Sequence, residues 1–459
     1  MLFGVYPALA QRTAPPAEIS SVYQQLLFES PPASEDLLDR SIPKEQKLEA
    51  DRLLQTAWHF QRKLVLENRV YAGGPFTRYL RRLAIPFTSA AAFDTSRLFV
   101  TRLSSPNAFA LSQGPIFFNV GLFSVVESAD ELAFILAHEI VHVQKQHALN
   151  SFLRQKEISA SEINYRNPTK SALRRLRYSR SDEQEADAEG LALLTTTDYD
   201  PWASVRALER LQDTFLLKLE TDSSLRIFGK PMDSLEGAAL ELLEETYGRD
   251  DEGRLGTLTG ERPERFMTHP GGQRRRDALR EMLRMRFEMA DADSIPAPQP
   301  DPELEALRKL AFQHMAANSY RENDYDLSLY MALRLMQQYP DEPQFQAVAL
   351  QNLYWIGYYL NNGRARDILS FNTGVEYDDY KRLTAWLLTR DATDFQKATY
   401  ELAKRLHRQY PDHESIAFYH ALSARQYLGQ GTAALFFADY RRQFPNGRYR
   451  AYQYQSNKP

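Results

Sequence analysis

The stretch DELAFILAHEIVHVQKQH, residues 130–147, limits the possible folds of this chain more than any other part of it. Leu132, Ala133, Ile135, Leu136, Ile140 and Val141 fall on nearly every side of a helix, so the helix must run through the middle of a core. Ser128 as N-cap, with Glu131 three residues on as its capping-box partner, gives that helix a defined start. Yet His138, Glu139 and His142 lie inside it. Burying two imidazoles and a carboxylate without partners costs roughly 2 kcal/mol or more per group, and a metal ion removes that cost. The alternative is a pair of histidines satisfied by hydrogen bonds within the core.

Residues four apart on a helix are offset by about 40°, so His138 and His142 present their rings side by side. Glu139 lies about 100° from the first and about 60° from the second, close enough to act on a water without displacing a ligand. The pattern H-E-x-x-H thus supplies two metal ligands and a general base in five residues. The chain has no cysteine, so any metal site must be built from histidine and carboxylate.

The third ligand has to come from elsewhere. A histidine ten residues after the first, with a glycine turn between, is ruled out because those positions hold Ala148 and Lys145. His147 would stand about 140° round a continuous helix from His142, which makes it a surface residue or one lying behind the ligands. The segment YSRSDEQEADAEGLALL offers a better source. Taken as a helix, Glu183, Ala186, Asp187, Gly190, Leu191 and Leu194 share one face, with Glu185 and Glu189 on the other. Glu183 then binds the ion, Asp187 orients a ligand histidine through its second ring nitrogen, and Gly190 lets the helices approach closely. An acidic, solvated helix is the plain alternative.

The rest of the chain frames this site. Residues 41–70 carry a helical spacing of apolar positions, and a shorter helix is predicted over Phe76–Leu83. RLFVTRL (97–103), NAFAL (107–111) and IFFNV (116–120) read as strands of a small antiparallel sheet ending in a hairpin, separated by Ser104-Ser105-Pro106 and Ser112-Gln113-Gly114-Pro115. Further helices are expected at Ser181–Leu194, Pro201–Leu219, Leu235–Tyr247 and Gly272–Met289. DADSIPAPQPDPE, with four prolines between 291 and 303, marks a domain boundary. Beyond it Tyr339-Pro340, Tyr410-Pro411 and Phe444-Pro445 stand 71 and then 34 positions apart, two periods and one of the tetratricopeptide length. An irregular helical array is the alternative there. The expected domains are an N-terminal segment 1–40, a metallopeptidase domain 41–290, a linker 291–303 and a tetratricopeptide-like solenoid 304–459.

With 56 basic and 60 acidic residues the chain has no electrostatic footprint for nucleic acid. The uncharged run Leu103–Val126 is broken by Pro106, Gly114 and Pro115, so no membrane-spanning helix is expected. The N-terminal MLFGVYPALAQRTAPP ends its apolar run on Ala8-Leu9-Ala10, the form of a signal-peptidase site without its basic leader. A truncated signal peptide implies an exported, periplasmic protein. A frayed terminus, with a cytoplasmic location, is the other reading.

Together NAFAL, DELAFILAHEIVHVQKQH, YSRSDEQEAD and FMTHP resemble the gluzincin peptidases that include HtpX and the CAAX prenyl proteases, and within them the soluble, periplasmic BepA-like branch. The resemblance covers about residues 41–285. It implies an α+β zincin-like domain with one Zn2+, held by His138, His142 and Glu183, with Asp187 behind them. It also implies a tetratricopeptide array after the peptidase domain, and it draws attention to His269 in THP, where a histidine of BepA-like members occupies the fourth coordination site. For His269 either metal binding or contact with the transition state is open. The stretch 222–262 is an extra segment, a lid or plug or a surface insertion. The expected activity is a zinc endopeptidase acting on unfolded polypeptide, with substrate aligned as an added strand along Asn107, Ala108, Phe109 and Ala110 and assembly partners held by the array. The rival is a chaperone or adaptor whose metal site is latched. A purely structural zinc is the weakest option.

Overall fold

The computed structural model describes residues 24–29, 33, 43–112, 114–156, 180–211, 225–231, 239, 241–242, 272–286, 296–369 and 378–449. The N-terminal candidate signal sequence, His269, most of the extra stretch 222–262 and the first half of the Pro-rich segment lie outside them, as does most of the expected helix Leu235–Tyr247. Contacts divide the described residues into two compact units, those of 24–211 with 272–311, and those of 225–242 with 312–449.

The first unit begins with α1 (Lys44–Leu66), α2 (Pro75–Leu83) and α3 (Ile85–Ala90). Strands β1 (Leu98–Thr101), β2 (Ala108–Ala110) and β3 (Ile116–Asn119) follow, then α4 (Leu122–Val125), α5 (Ala129–Gln144), α6 (His147–Lys156), α7 (Arg180–Leu194), α8 (Ala203–Arg210) and α9 (Gly272–Arg286). The strand positions agree with the aromatic runs in the sequence, but the sheet is mixed. Its order is β1-β3-β2, with β2 antiparallel and β1 parallel to β3. A fully antiparallel meander would put β1 beside β2. Instead β1 has β3 on one side, and residues 69–71 on the other, where Tyr71 N–H donates to Val100 O at 2.9 Å and Arg102 N–H to Arg69 O at 2.7 Å.

Every position of the three strands is buried, because both faces are covered. Phe99, Phe117 and Phe109 align across the sheet with ring centroids 5.5 and 5.2 Å apart, and Phe60, Leu64 and Val65 of α1 pack in the same cluster. α5 lies against β2. All residues of α5 from Glu131 to His142 are buried, as its all-round apolar pattern requires. Ser128 caps it, its Oγ accepting from Glu131 N–H at 3.2 Å. The return contact differs from a capping box: Glu131 Oε2 accepts from Glu127 N–H at 2.8 Å, one residue before the cap.

In the second unit, α10 (Pro302–Arg321), within which the division falls, is followed by α11 (Tyr325–Gln338), α12 (Pro343–Asn361), α13 (Asp378–Leu388), α14 (Ala392–Gln409), α15 (Glu414–Leu428) and α16 (Gln430–Gln443). Tyr339, Tyr410 and Phe444, each before a proline, end α11, α14 and α16 in one conformation: φ, ψ of −129°, 69°; −128°, 65°; and −121°, 67°. The residue before a proline is pushed out of the helical region, so the sequence repeat is also a repeat of backbone geometry. The hairpin β4 (Arg226–Ile227) and β5 (Lys230–Pro231) belongs to this unit, and Phe228 at its tip meets Phe395 edge-on at 5.6 Å and Trp386 at 6.4 Å.

Asp326 on α11 is buried and accepts from Tyr380 Oη at 2.9 Å and Thr384 Oγ1 at 3.1 Å. Burial, reinforced by the charge of Asp324, pushes its carboxyl up to about 6 in spite of these donors. A carboxyl with a folded pKa above its unfolded value of about 3.9 contributes its stability below that value and loses it as pH rises through the folded pKa. Asp326→Asn should therefore gain on the parent by up to about 3 kcal/mol between pH 4 and pH 7, read as the difference between urea-unfolding curves of the two proteins at each pH.

Candidate metal centre

α5 and α7 cross where Gly190 faces His138. A Cβ on Gly190 would stand 3.1 Å from both Cα and N of His138, so only glycine permits this approach without moving the ligand helix. The acidic face of α7 is thereby turned onto the two histidines. Asp182, Glu183, Ala186, Asp187, Gly190, Leu191 and Leu194 are buried while Glu185 is half exposed, as the helical reading of this segment expects apart from Asp182, which Ser151 Oγ holds from α6.

The ring nitrogens His138 Nε2 and His142 Nε2 lie 2.9 Å apart, and the Glu183 oxygens approach them at 3.8 and 3.5 Å. These separations bracket the edge of roughly 3.3 Å expected for a tetrahedron of nitrogen and oxygen ligands about 2.0–2.1 Å from an ion. Among the described residues this is the one group of three such side chains able to hold a metal. Glu139 stands between the histidines on α5, 1 % exposed.

The outer partners fix the protons. His138 Nδ1 lies 3.0 Å from Asp187 Oδ1, which turns that ring nitrogen toward the carboxylate. His142 Nδ1 is 2.8 Å from His147 Nδ1, and His147 Nε2 is 3.2 Å from Glu185 Oε2, so the chain of donors runs from His142 to His147 to Glu185. Both Nε2 atoms then direct lone pairs at each other across 2.9 Å, beside a carboxylate. That arrangement is repulsive by itself and fits a cation between them.

His147 is 3 % exposed and touches a ligand, unlike the position a continuous helix gives it. The helix stops at Gln144, and Gln146 takes a left-handed φ of 52°, which starts α6 in a new direction and swings His147 back toward His142. No glycine or asparagine marks this break in the sequence.

Sequence reasoning also missed Arg275 on α9. It is 5 % exposed and grips Asp187 with two hydrogen bonds, Nε to Oδ2 at 2.6 Å and Nη2 to Oδ1 at 2.7 Å, while Nη1 lies 2.6 Å from Glu183 Oε2. Burial pushes the Asp187 carboxyl up, but Arg275, together with His138, outweighs burial and holds it at about 2. Burial also works against the Arg275 cation, which Asp187, Glu183 and Glu139 more than restore. The buried carboxyl groups of Glu139, Glu183 and Asp187 gather about the two imidazoles with the single guanidinium of Arg275. The donor set therefore fits a metal such as zinc.

Two histidines from one helix and a glutamate from a second form a donor set of the gluzincin type. The sequence model of Peptidase family M48 matches residues 77–283, a segment that holds the whole candidate centre. The chain is 32 % identical over 137 residues to the putative beta-barrel assembly-enhancing protease of Vibrio cholerae, covering 26 % of this chain and 28 % of that protein. It is 28 % identical over 149 residues to the mitochondrial metalloendopeptidase OMA1 of Schizosaccharomyces pombe, covering 30 % and 44 %, and 26 % identical over 159 residues to the beta-barrel assembly-enhancing protease of Escherichia coli, covering 30 % and 33 %. The matches span less than half the length of each relative.

Removing Arg275 leaves two carboxylates buried without their cation. Arg275→Ala should lower the stability of the metal-free chain by about 3–5 kcal/mol, and adding Asp187→Asn should recover part of it. Denaturant unfolding in the presence of a chelator measures both; an unchanged midpoint for Arg275→Ala would contradict the pairing of Arg275 with these carboxylates.

Proposed function

We propose that the chain is a zinc endopeptidase that cuts extended polypeptide. The reading is supported chiefly by the convergence of His138, His142 and Glu183, with Glu139 on the same helix, inside a segment that matches a peptidase family. In this proposal those three residues hold one Zn2+, which when bound supplies a Lewis acid for the scissile carbonyl. Asp187 and Arg275 keep the His138 ring and the Glu183 carboxylate in place. Glu139 takes the proton of the attacking water and hands it to the leaving amine. Its burial keeps bulk water from competing for that proton.

His269 lies outside the described residues and joins the site only through the resemblance, as a fourth ligand or a contact to the developing charge. β2 has β3 as its strand neighbour and packs against α5, so a substrate strand along Asn107, Ala108, Phe109 and Ala110 would pass the motif helix. The helical array after the Pro-rich segment would act as a tetratricopeptide-like docking module for clients or assembly partners. No described helix is long and apolar enough to cross a membrane. The relatives named for β-barrel assembly support a role in quality control of exported proteins, with action in the periplasm.

Glu139→Gln should cut cleavage of unfolded casein by about 10²–10⁴-fold while retaining stoichiometric zinc, and Glu183→Ala should lose both. Elemental analysis and proteolysis of the same samples test this. Undiminished client turnover in Glu139→Gln, together with loss of function on deleting residues 304–459, would favour the adaptor reading.

A further inference from the structure

The two histidines of the centre are supported differently. His138 leans on an anion, Asp187, which Arg275 fixes in turn. His142 leans on a second imidazole, His147. We infer that His147 is a positioning residue of the metal centre, which holds the His142 ring in the tautomer and orientation that present Nε2 to the ion. The inference rests on the reading of His138, His142 and Glu183 as metal ligands.

Three observations carry it. His147 meets His142 at Nδ1, on the opposite side of the ring from the Nε2 that faces His138 and Glu183, so it supports the ligand and is not a ligand of the same ion. The contact is oriented from outside as well: His147 Nε2 lies 3.2 Å from Glu185 Oε2, and Lys145 Nζ lies 3.3 Å from Glu185 Oε1 and 2.5 Å from Glu189 Oε1. A donor bond to Glu185 from Nε2 leaves the His147 Nδ1 lone pair to accept from His142. Finally, the backbone is bent to make the contact. Gln146 is held in the left-handed region, which a non-glycine residue rarely adopts, and Asn150 Nδ2 braces the turn by donating to Lys145 O at 2.9 Å. A continued α5 would carry His147 away from His142. The strained residue therefore sits at the one point where the helix must break for the ring pair to form.

Hydrogen-bond partners of metal-bound histidines set ligand orientation and basicity, and their loss typically weakens metal binding about 10–100-fold. His147→Phe keeps the ring volume and removes the acceptor. His147→Asn places Oδ1 where Nδ1 stands and keeps the acceptor for His142. Glu185→Gln, at the half-exposed end of the chain of contacts, weakens the outer orientation without touching the core. The full-length protein is stripped with chelator, and its affinity for Zn2+ and Co2+ is measured by competition with a chromogenic chelator, alongside the visible d–d spectrum of the Co2+ form and circular dichroism.

The expected result is a loss of about 10–100-fold in affinity and a changed Co2+ spectrum for His147→Phe, both largely restored in His147→Asn. Glu185→Gln should give a smaller loss in the same direction. Parent-like affinity and spectrum in a folded His147→Phe would overturn the inference while leaving the metal centre intact. If His147→Phe does not fold, Glu185→Gln carries the test, and an affinity and Co2+ spectrum identical to the parent's in that variant would overturn the inference. Failure of the parent itself to bind either ion would instead overturn the ligand reading, and this inference with it.

Discussion

The contact at Gly190 is the constraint on which the rest of the centre depends. Carboxylates have a short reach, and Glu183 and Asp187 sit one turn apart on α7, so they can engage two histidines one turn apart on α5 only if the helices nearly touch. With His138 backbone atoms 3.1 Å from where a side chain would begin, the register of one helix against the other is set by backbone contact and not by flexible groups. Two acids brought so close in a dry interior repel each other. Arg275 answers that repulsion by bridging them, and its place on α9 recruits a third helix to the same point.

The sheet contributes by packing against the motif helix. Its aromatic ladder packs with α1, β2 lies against α5, and α5 is buried from Glu131 to His142. A helix so enclosed cannot easily relax to relieve electrostatic strain, and a cation becomes the cheaper solution. Packing and charge thus act in the same direction: the apolar shell raises the cost of the buried acids, and the acids in turn favour an ion.

Much of this could be read from the chain. Periodicity alone located α5 and the inward face of α7, because burial of apolar residues leaves a repeating mark and a polar residue within that mark stands out. The local start of α5 at Ser128 was also legible, since capping is a matter of adjacent residues. What could not be read shares a different character. Arg275 lies in a helix with few apolar positions and several arginines, and nothing local separates the buried one from its exposed neighbours. The break at Gln146 carries none of the residues that usually permit a left-handed backbone. The parallel pairing of β1 with β3 depends on which edges are already occupied, by residues 69–71 among others, and strand composition does not record that.

The hairpin of β4 and β5 has a consequence for how such a chain could have been assembled. Phe228 and Gly229 at its tip both take positive φ, 52° and 82°, and a phenylalanine is tolerated there because its ring meets Trp386 and Phe395. The hairpin residues 225–231 therefore pack with the C-terminal helices although they fall within the span 77–283 of the family match. Replacing the helices that carry Trp386 and Phe395 would call for a matching change at Phe228, in a distant stretch of the gene.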